Sequence, residues 1–205
     1  MSRLKLAYVI LAAGGASRFG GCKQLAQIDF GKTLLERAIE LSLFVATDEV
    51  HLVLGAYREQ IISKLQLGQE QTYRSRVKII VNEDWQLGIA SSITAALNQL
   101  GDDSDGVCFL LADQVAIHSM QLRDLQLIWE QNPDKIVAAQ YLDITGVPAI
   151  FPRKYFGDLQ QLQGDTGAKS VLQKNRNNVI PFELEDARWD IDTERELSDW
   201  LVDSL

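Results

Sequence analysis

Short apolar runs alternate with amphipathic stretches along most of this chain. Leu6–Ala12 is almost continuously apolar, the pattern of a strand buried on both faces. Thr33–Val45 then places Leu34, Leu35, Ala38, Ile39 and Leu41 at helical spacing. The rhythm repeats: strands are predicted over Val50–Leu54, Val77–Val81, Val107–Ala112 and Ile136–Tyr141, and helices over Arg58–Leu67, Ser91–Leu100 and Ser119–Glu130. Ser91 or Ser92 is the expected cap of the third helix. Such alternation implies right-handed crossovers and a mainly parallel sheet with helices on both faces, a three-layer α/β/α Rossmann-like architecture.

After Tyr141 the rhythm changes. Pro148–Phe151 and Val179–Phe182 read as short strands, Thr166–Gln173 as a helix between them, and Thr193–Leu205 as a closing helix. No linker-like or low-complexity stretch divides the chain. The expectation is one domain over residues 1–205, with a nucleotide-handling half over about 1–115 and an acceptor-binding part over about 116–205.

Composition narrows the function classes. The formal net charge of −8 leaves no surplus of Lys and Arg to displace counterions from nucleic acid. No run approaches the roughly 18 apolar residues a membrane span needs, and the first residues lack signal-peptide organisation, so a cytoplasmic protein without nucleic-acid or membrane partners is expected. Cys108 lies in an apolar run and Cys22 in a glycine-rich loop; two cysteines give neither a disulfide framework nor a zinc site. His51 and His118 are isolated and are expected to be structural or solvated, as Trp85, Trp129, Trp189 and Trp200 are expected to pack in the core or between helices.

The candidate chemistry starts directly after the first strand. Leu11-Ala-Ala-Gly-Gly-Ala-Ser-Arg-Phe-Gly-Gly-Cys-Lys23 puts glycines, a hydroxyl, Arg18 and Lys23 into one loop. Glycines let backbone N–H groups approach an anion, and the cations neutralise it. A P-loop is excluded: Gly31-Lys32-Thr33 supplies its tail, but Ala26 stands where the first glycine must be. The dinucleotide fingerprint fails as well, because Gly14-Gly15-Ala16-Ser17 breaks the G-x-G-x-x-G spacing and no acidic residue ends the second strand at Leu54. Ligands of open parallel sheets bind beyond the carboxyl ends of the strands, where this loop, Asn82 and Asp113 should meet.

The actual pattern, L-A-A-G-x-x-S-R-x-G-x-x-K, resembles the signature loop of the MobA-like nucleotidyltransferases. Further blocks agree in order: Asn82-Glu-Asp-Trp-Gln-Leu-Gly88-Ile-Ala-Ser-Ser92, Leu110-Leu-Ala-Asp-Gln114, Gly146-Val-Pro148, Gly164-Asp165-x-Gly167-Ala-Lys169 and Asp190-Ile-Asp192-Thr193. Together they are similar to the molybdenum cofactor cytidylyltransferase branch. Two departures stand out: Val115 where proline commonly follows the metal-binding block, and Phe19 where methionine is frequent.

The resemblance implies a Mg²⁺-dependent transfer of a nucleotidyl group from an NTP, CTP favoured, to a molybdopterin-type acceptor. A molybdenum hydroxylase would then be the recipient of the cofactor. It assigns Arg18 and Lys23 to the phosphate chain, and Leu11, Ala12, Ala13, Gly14, Gly15, Asn82, Gly88 and Ser92 to the nucleotide. Ala13 would favour cytosine. It assigns Asp113 and Asp192 to the metal, with Asp190 competing for the second place, and Asp165 and Lys169 to the acceptor. Alternation would point Asp190 and Asp192 the same way with Ile191 buried between them, although Asp192 or Thr193 is equally placed to cap the last helix. Transfer to a sugar phosphate or polyol phosphate is the nearest alternative, and a non-catalytic cofactor chaperone the next.

Overall fold

A computed structural model describes residues 3–29, 31–67, 75–101 and 103–203. The strands are β1 (Leu6–Ala12), β2 (Gln27–Asp29), β3 (Lys32–Thr33), β4 (Val50–Leu54), β5 (Val77–Val81), β6 (Gly106–Leu111), β7 (Ile136–Tyr141), β8 (Ile144–Pro152) and β9 (Val179–Glu183). The helices are α1 (Leu34–Val45), α2 (Arg58–Leu67), α3 (Ile89–Leu100), α4 (Ser119–Gln131), α5 (Phe156–Gln160), α6 (Lys169–Lys174) and α7 (Glu194–Asp203).

A seven-stranded sheet in the order β5-β4-β1-β6-β8-β7-β9 forms the middle layer. All neighbours pair in parallel except β8, which runs antiparallel to β6 and β7. The mainly parallel α/β fold expected from the alternation is therefore present. β1 explains why its sequence reads as continuous apolar. Tyr8, Ile10 and Ala12 join Leu35 and Ile39 of α1, Ile61 of α2 and Trp129 of α4 on one side. Val9 and Leu11 join Ile93, Ala96 and Leu97 of α3 on the other, together with Phe109, Phe151 and Leu172. Successive side chains point to opposite faces, so a strand covered on both must be apolar throughout. No helix among the described residues is long and apolar enough to cross a membrane.

Several elements depart from the pattern. β8 begins at Ile144, earlier than Pro148, because it returns directly from β7. Val147 and Pro148 fall where the β7–β8 register shifts, a place where a missing N–H costs no ladder bond. The helix expected from Thr166 starts only at Lys169, since the preceding residues form a turn around Gly164 at φ 62°. α3 starts at Ile89 with Gly88 as its cap, so neither Ser91 nor Ser92 caps it. The hairpin β2–β3 and the short α5 carry no period long enough to be read. The closing helix ends at Asp203 within the described residues; positions 204–205 of the expected span lie outside them.

Gly31-Lys32-Thr33 has a purely structural use. The Thr33 hydroxyl accepts from the Glu36 N–H, and the Glu36 carboxylate accepts from the Thr33 N–H, a reciprocal cap for α1. Lys32 pairs with Glu40.

Candidate active site

A cleft of about 380 Å³ opens at the carboxyl ends of β1 and β6. Leu11 to Gly15, Lys23, Gly88, Ser92, Asp113 and Asp165 all line it, so most of the residues singled out in the sequence meet in one place.

The charged end of the cleft is built by one short strand-like contact. Ile191 N–H donates to the Asp113 carbonyl (3.1 Å), Val115 N–H donates to the Trp189 carbonyl (3.1 Å), and Gln114 bridges to Asp190. Segment 189–191 is thereby laid along 113–115, with Ile191 buried against Phe19, Ile28, Leu34 and Val115. The departure at Val115 now has a reason: its N–H holds the closing segment, a bond proline cannot make. Arg37 fixes the same turn by donating to the carbonyls of Val115 (2.7 Å) and Ile117 (2.9 Å).

Lys23 sits between two carboxylates. Its Nζ donates to Asp113 Oδ2 (2.7 Å) and to Asp192 Oδ1 (2.9 Å), while Arg18 Nη1 reaches Asp192 Oδ2 (2.8 Å). Side-chain exposure is 13% for Lys23 and 18% for Asp113, but 77% for Arg18, so the inner pair is the sheltered one. Burial alone would lower the Lys23 pKa, but the Asp113 and Asp192 carboxylates hold it above the ordinary lysine value. The hydrogen bond from Lys23 in turn holds Asp192 below the usual carboxylate range. Asp190 is pushed up, first by burial and then by the negative charge of Asp113.

Asp192 does not cap α7. Thr193 and Glu196 form that cap reciprocally, which leaves the Asp192 carboxylate to Lys23 and Arg18.

Asp113 Oδ1 is buried and accepts no hydrogen bond from the described residues. A buried carboxylate oxygen without a donor, beside a second carboxylate, suits a hard divalent cation. Among the described residues no group of three or more His, Cys, Asp or Glu side chains gathers around a metal-sized point. A magnesium ion here would complete its shell with phosphate oxygens and water, its usual preference.

The opposite wall is neutral. Trp85 lines the cleft instead of packing only in the core, and its ring lies so close to Gly15 that a Cβ there would sit 3.2 Å from it. Gln24, buried behind the glycine loop, donates from Nε2 to the carbonyls of Ala12 (3.0 Å) and Gly14 (3.1 Å). Neither residue stood out in the sequence; only the position of Gln24 next to Lys23 and of Trp85 inside the second block pointed to them.

Four residues assigned to ligands stand apart from the cleft surface, among them Asp192, which meets it only through Lys23. Asn82 is buried behind it, donating to the hydroxyls of Ser91 (2.8 Å) and Ser92 (3.0 Å), while its Oδ1 accepts from the Asp84 N–H (3.0 Å). Arg18 reaches only the outer edge through Asp192. Lys169 lines a different groove, with Asp143 and Arg176, and does not meet Asp165 across the cleft. Gly88 is a contact between loops: at φ 94° its Cα faces the Gly164 backbone, and a Cβ would lie 2.3 Å from the Gly164 carbonyl. Ala90 N–H donates to that same carbonyl (3.1 Å), which holds Asp165 over the cleft.

The other single residues are structural. His118 caps α4 together with Gln121, Trp129 is fully buried, and Trp189 stacks at a tilt on Trp200. Cys108 is buried, and Cys22 is a free thiol that donates weakly to Gln24 Oε1 (3.5 Å).

Residues 8–179 match the model of the MobA-like NTP transferase domain. Nicotine blue oxidoreductase of Paenarthrobacter nicotinovorans is 32% identical over 134 residues, which is 65% of this chain and 60% of that protein. Among solved structures, the Rv0371c homologue of Mycobacterium sp. strain JC1 superposes with a TM-score of 0.82 at 26% identity, covering 97% of this chain and 96% of the other. Rv0371c of Mycobacterium tuberculosis H37Rv in complex with manganese superposes with a TM-score of 0.76 at 21% identity, covering 98% and 100%.

Proposed function

Because the chain belongs to the MobA-like NTP transferase family, we propose that it transfers a nucleotidyl group from CTP to a phosphate of a molybdopterin-type acceptor. An acceptor phosphate oxygen attacks the α-phosphorus. The bridging bond to the β-phosphorus breaks, and its electrons leave with pyrophosphate. Enzymes of such reactions supply mainly position and charge.

One observation carries this reading: Lys23 is held between Asp113 and Asp192 at the charged end of a cleft whose other wall is a glycine loop. Lys23 and Arg18 take phosphate oxygens in place of their carboxylate partners when a triphosphate enters, and both stabilise charge moving onto pyrophosphate. Arg18 does so with a planar fork suited to phosphate. The backbone from Leu11 to Gly15 lies along the nucleotide, and Ala13 admits cytosine. Gly88, Ser92 and, from behind, Asn82 shape the side facing the ribose. Asp113 through Oδ1 and Asp192 would hold Mg²⁺, with Asp190 nearest to replace Asp192. When bound, the ion neutralises charge between the two phosphates that must approach each other. Asp165 faces the acceptor, whose recipient would be a molybdenum hydroxylase.

The name of the 32% identical relative favours a second reading, an oxidoreductase. The glycine loop argues against a dinucleotide cofactor, since its spacing lacks G-x-G-x-x-G and Leu54 ends the second strand without an acidic residue.

One experiment separates these readings. The protein is incubated with Mg²⁺, each of the four NTPs and molybdopterin or its molybdenum form, in parallel with a sugar phosphate, a polyol phosphate or a reduced nicotinamide cofactor. Pyrophosphate, nucleotide-linked product and nicotinamide absorbance are measured. CTP-dependent product is expected. Equal use of all four NTPs removes the cytosine assignment, and product only with a sugar phosphate or polyol phosphate moves the acceptor. Nucleotide binding without turnover favours a chaperone, and oxidation of a nicotinamide cofactor in place of pyrophosphate release favours the oxidoreductase.

A further inference from the structure

Five consecutive backbone carbonyls in the glycine loop are turned into the protein. Ala12 and Gly14 accept from Gln24 Nε2 (3.0 and 3.1 Å), Ala13 from the Ala56 N–H (3.0 Å), Gly15 from Tyr57 Oη (3.3 Å) and Ala16 from the Phe19 N–H (2.9 Å). In a trans peptide the C=O of one residue and the N–H of the next point in opposite directions. Fixing the carbonyls inward therefore fixes the following N–H groups outward. The amides of Ala13, Gly14 and Gly15 have no acceptor among the described residues. Loops that present successive free N–H groups in this way form anion-binding concavities.

Two of those peptide planes depend on one side chain. Gln24 is buried, with only 6% of its surface exposed, and its amide bonds the carbonyls of the two peptides that flank the Ala13–Gly14 peptide. Both contacts need a donor. Leucine or methionine would fill the space without holding either carbonyl, and glutamate would set a second acceptor against them. We propose that Gln24 is the positioning residue of this site: it orients the Ala12–Ala13 and Gly14–Gly15 peptides so that their N–H groups receive the oxygens of a nucleoside triphosphate. The inference rests on the nucleotidyltransferase reading and adds to it a residue that touches no reacting atom.

Gln24→Glu and Gln24→Met test it, with Mg²⁺–CTP binding followed by calorimetry. At pH 8 both variants should bind CTP at least about tenfold more weakly, the loss expected when donors to a charged ligand are misdirected. Mn²⁺ binding without nucleotide, read by electron paramagnetic resonance, should match the unsubstituted protein, because Asp113 and Asp192 are untouched. Acidification should restore CTP binding in Gln24→Glu alone. A buried glutamate facing carbonyls has a raised pKa, and its protonated form regains one donor. A merely structural role would lower the melting temperature without producing that pH-dependent recovery. Folded variants that bind CTP as tightly as the unsubstituted protein overturn the inference. Should both variants fail to fold, hydrogen exchange on the unsubstituted protein decides: the amides of Ala13 and Gly15 must slow when CTP binds, and unchanged exchange overturns it. If the unsubstituted protein binds none of the four NTPs, the functional reading fails first and this inference falls with it.

Discussion

The two edges of the central sheet use polar groups in opposite ways. At the amino ends of the strands, beside the Lys78–Glu49 ion pair, three charged side chains bond to backbone. The Arg76 guanidinium donates to the carbonyls of Leu43, Ala46 and Asp48 where α1 ends, Arg153 donates to those of Gly101 and Ser104, and Asp105 accepts from the Lys5 N–H. At the carboxyl ends Arg37 also holds backbone, on the carbonyls of Val115 and Ile117, but the charged side chains at the cleft bond to one another: Lys23 to Asp113 and Asp192, and Arg18 to Asp192. A charge that satisfies a backbone carbonyl has a fixed structural partner. A charge whose partner is another mobile side chain can exchange it for a ligand. The comparison predicts that removing a charge bonded to backbone at the amino edge costs stability and spares binding, while removing a charge bonded to another side chain at the carboxyl edge does the reverse.

The largest effect is expected at Asp113. Asp113→Asn removes the anionic character of the buried Oδ1 but keeps the shape and an acceptor for Lys23. Turnover should fall by about 10²–10³-fold, the usual cost of losing one electrostatic partner of a transition state. The melting temperature should hardly move. Steady-state rates beside a thermal melt check both halves, and a variant that unfolds instead would erase the distinction between the edges.

Gly88→Ala should damage binding and stability together. It forces a side chain into φ 94° and places its Cβ 2.3 Å from the Gly164 carbonyl. A strained backbone of this kind costs about 1–3 kcal/mol. The loop carrying Asp165 must move to make room, so nucleotide affinity falls with urea resistance. A stable variant with intact affinity would show that the Gly88–Gly164 contact does not shape the cleft.

Arg76→Ala tests the other edge. It leaves carbonyls at the end of α1 without their charged donor, a loss of about 1–3 kcal/mol by the cost of unsatisfied groups. Turnover below the melting transition should be unchanged. A drop in activity at constant stability would contradict the division.

What the sequence made legible follows the same line. Strands buried on both faces declare themselves as continuous apolar runs, so β1, β4 and β6 were readable to within a residue or two. That Lys23, Asp113 and Asp192 belong together was readable because they sit at motif spacing, and hydrogen bonds from Lys23 join the three side chains. Roles that depend on contacts between distant segments were not. Nothing in the residues near Gln24 tells that its amide faces two carbonyls ten and twelve positions earlier. Asn82 is the same case reversed: its place in a block suggests a ligand, whereas its amide is taken by Ser91 and Ser92. Gly88 reads as a nucleotide contact from its place in the second block and it lines the cleft, but nothing in the sequence tells that its conformation also answers to Gly164, far along the chain.

The smallest effect concerns His51, the second residue of β4 and so near the amino edge, where polar groups are expected to serve stability alone. His51 Nδ1 is buried without a hydrogen-bond partner among the described residues. Burial depresses its pKa below the ordinary 6.5; Lys78 acts in the same direction, and Glu49 and the Tyr8 backbone oppose it only in part. In the unfolded chain the imidazole takes up a proton near that ordinary value, while in the fold it resists until a lower pH. Between the two values the unfolded state binds more protons, so stability must decline as pH falls below 6.5 and reach its new level once the folded histidine also titrates. Urea titrations at pH 7.5, 6.5 and 5.5 should show this decline, and His51→Val should flatten it without changing CTP affinity. An equal decline in the variant would assign the acid sensitivity to the carboxylates of the other edge. His51 would then be a bystander, and the amino edge would lose its one titratable contribution to the comparison.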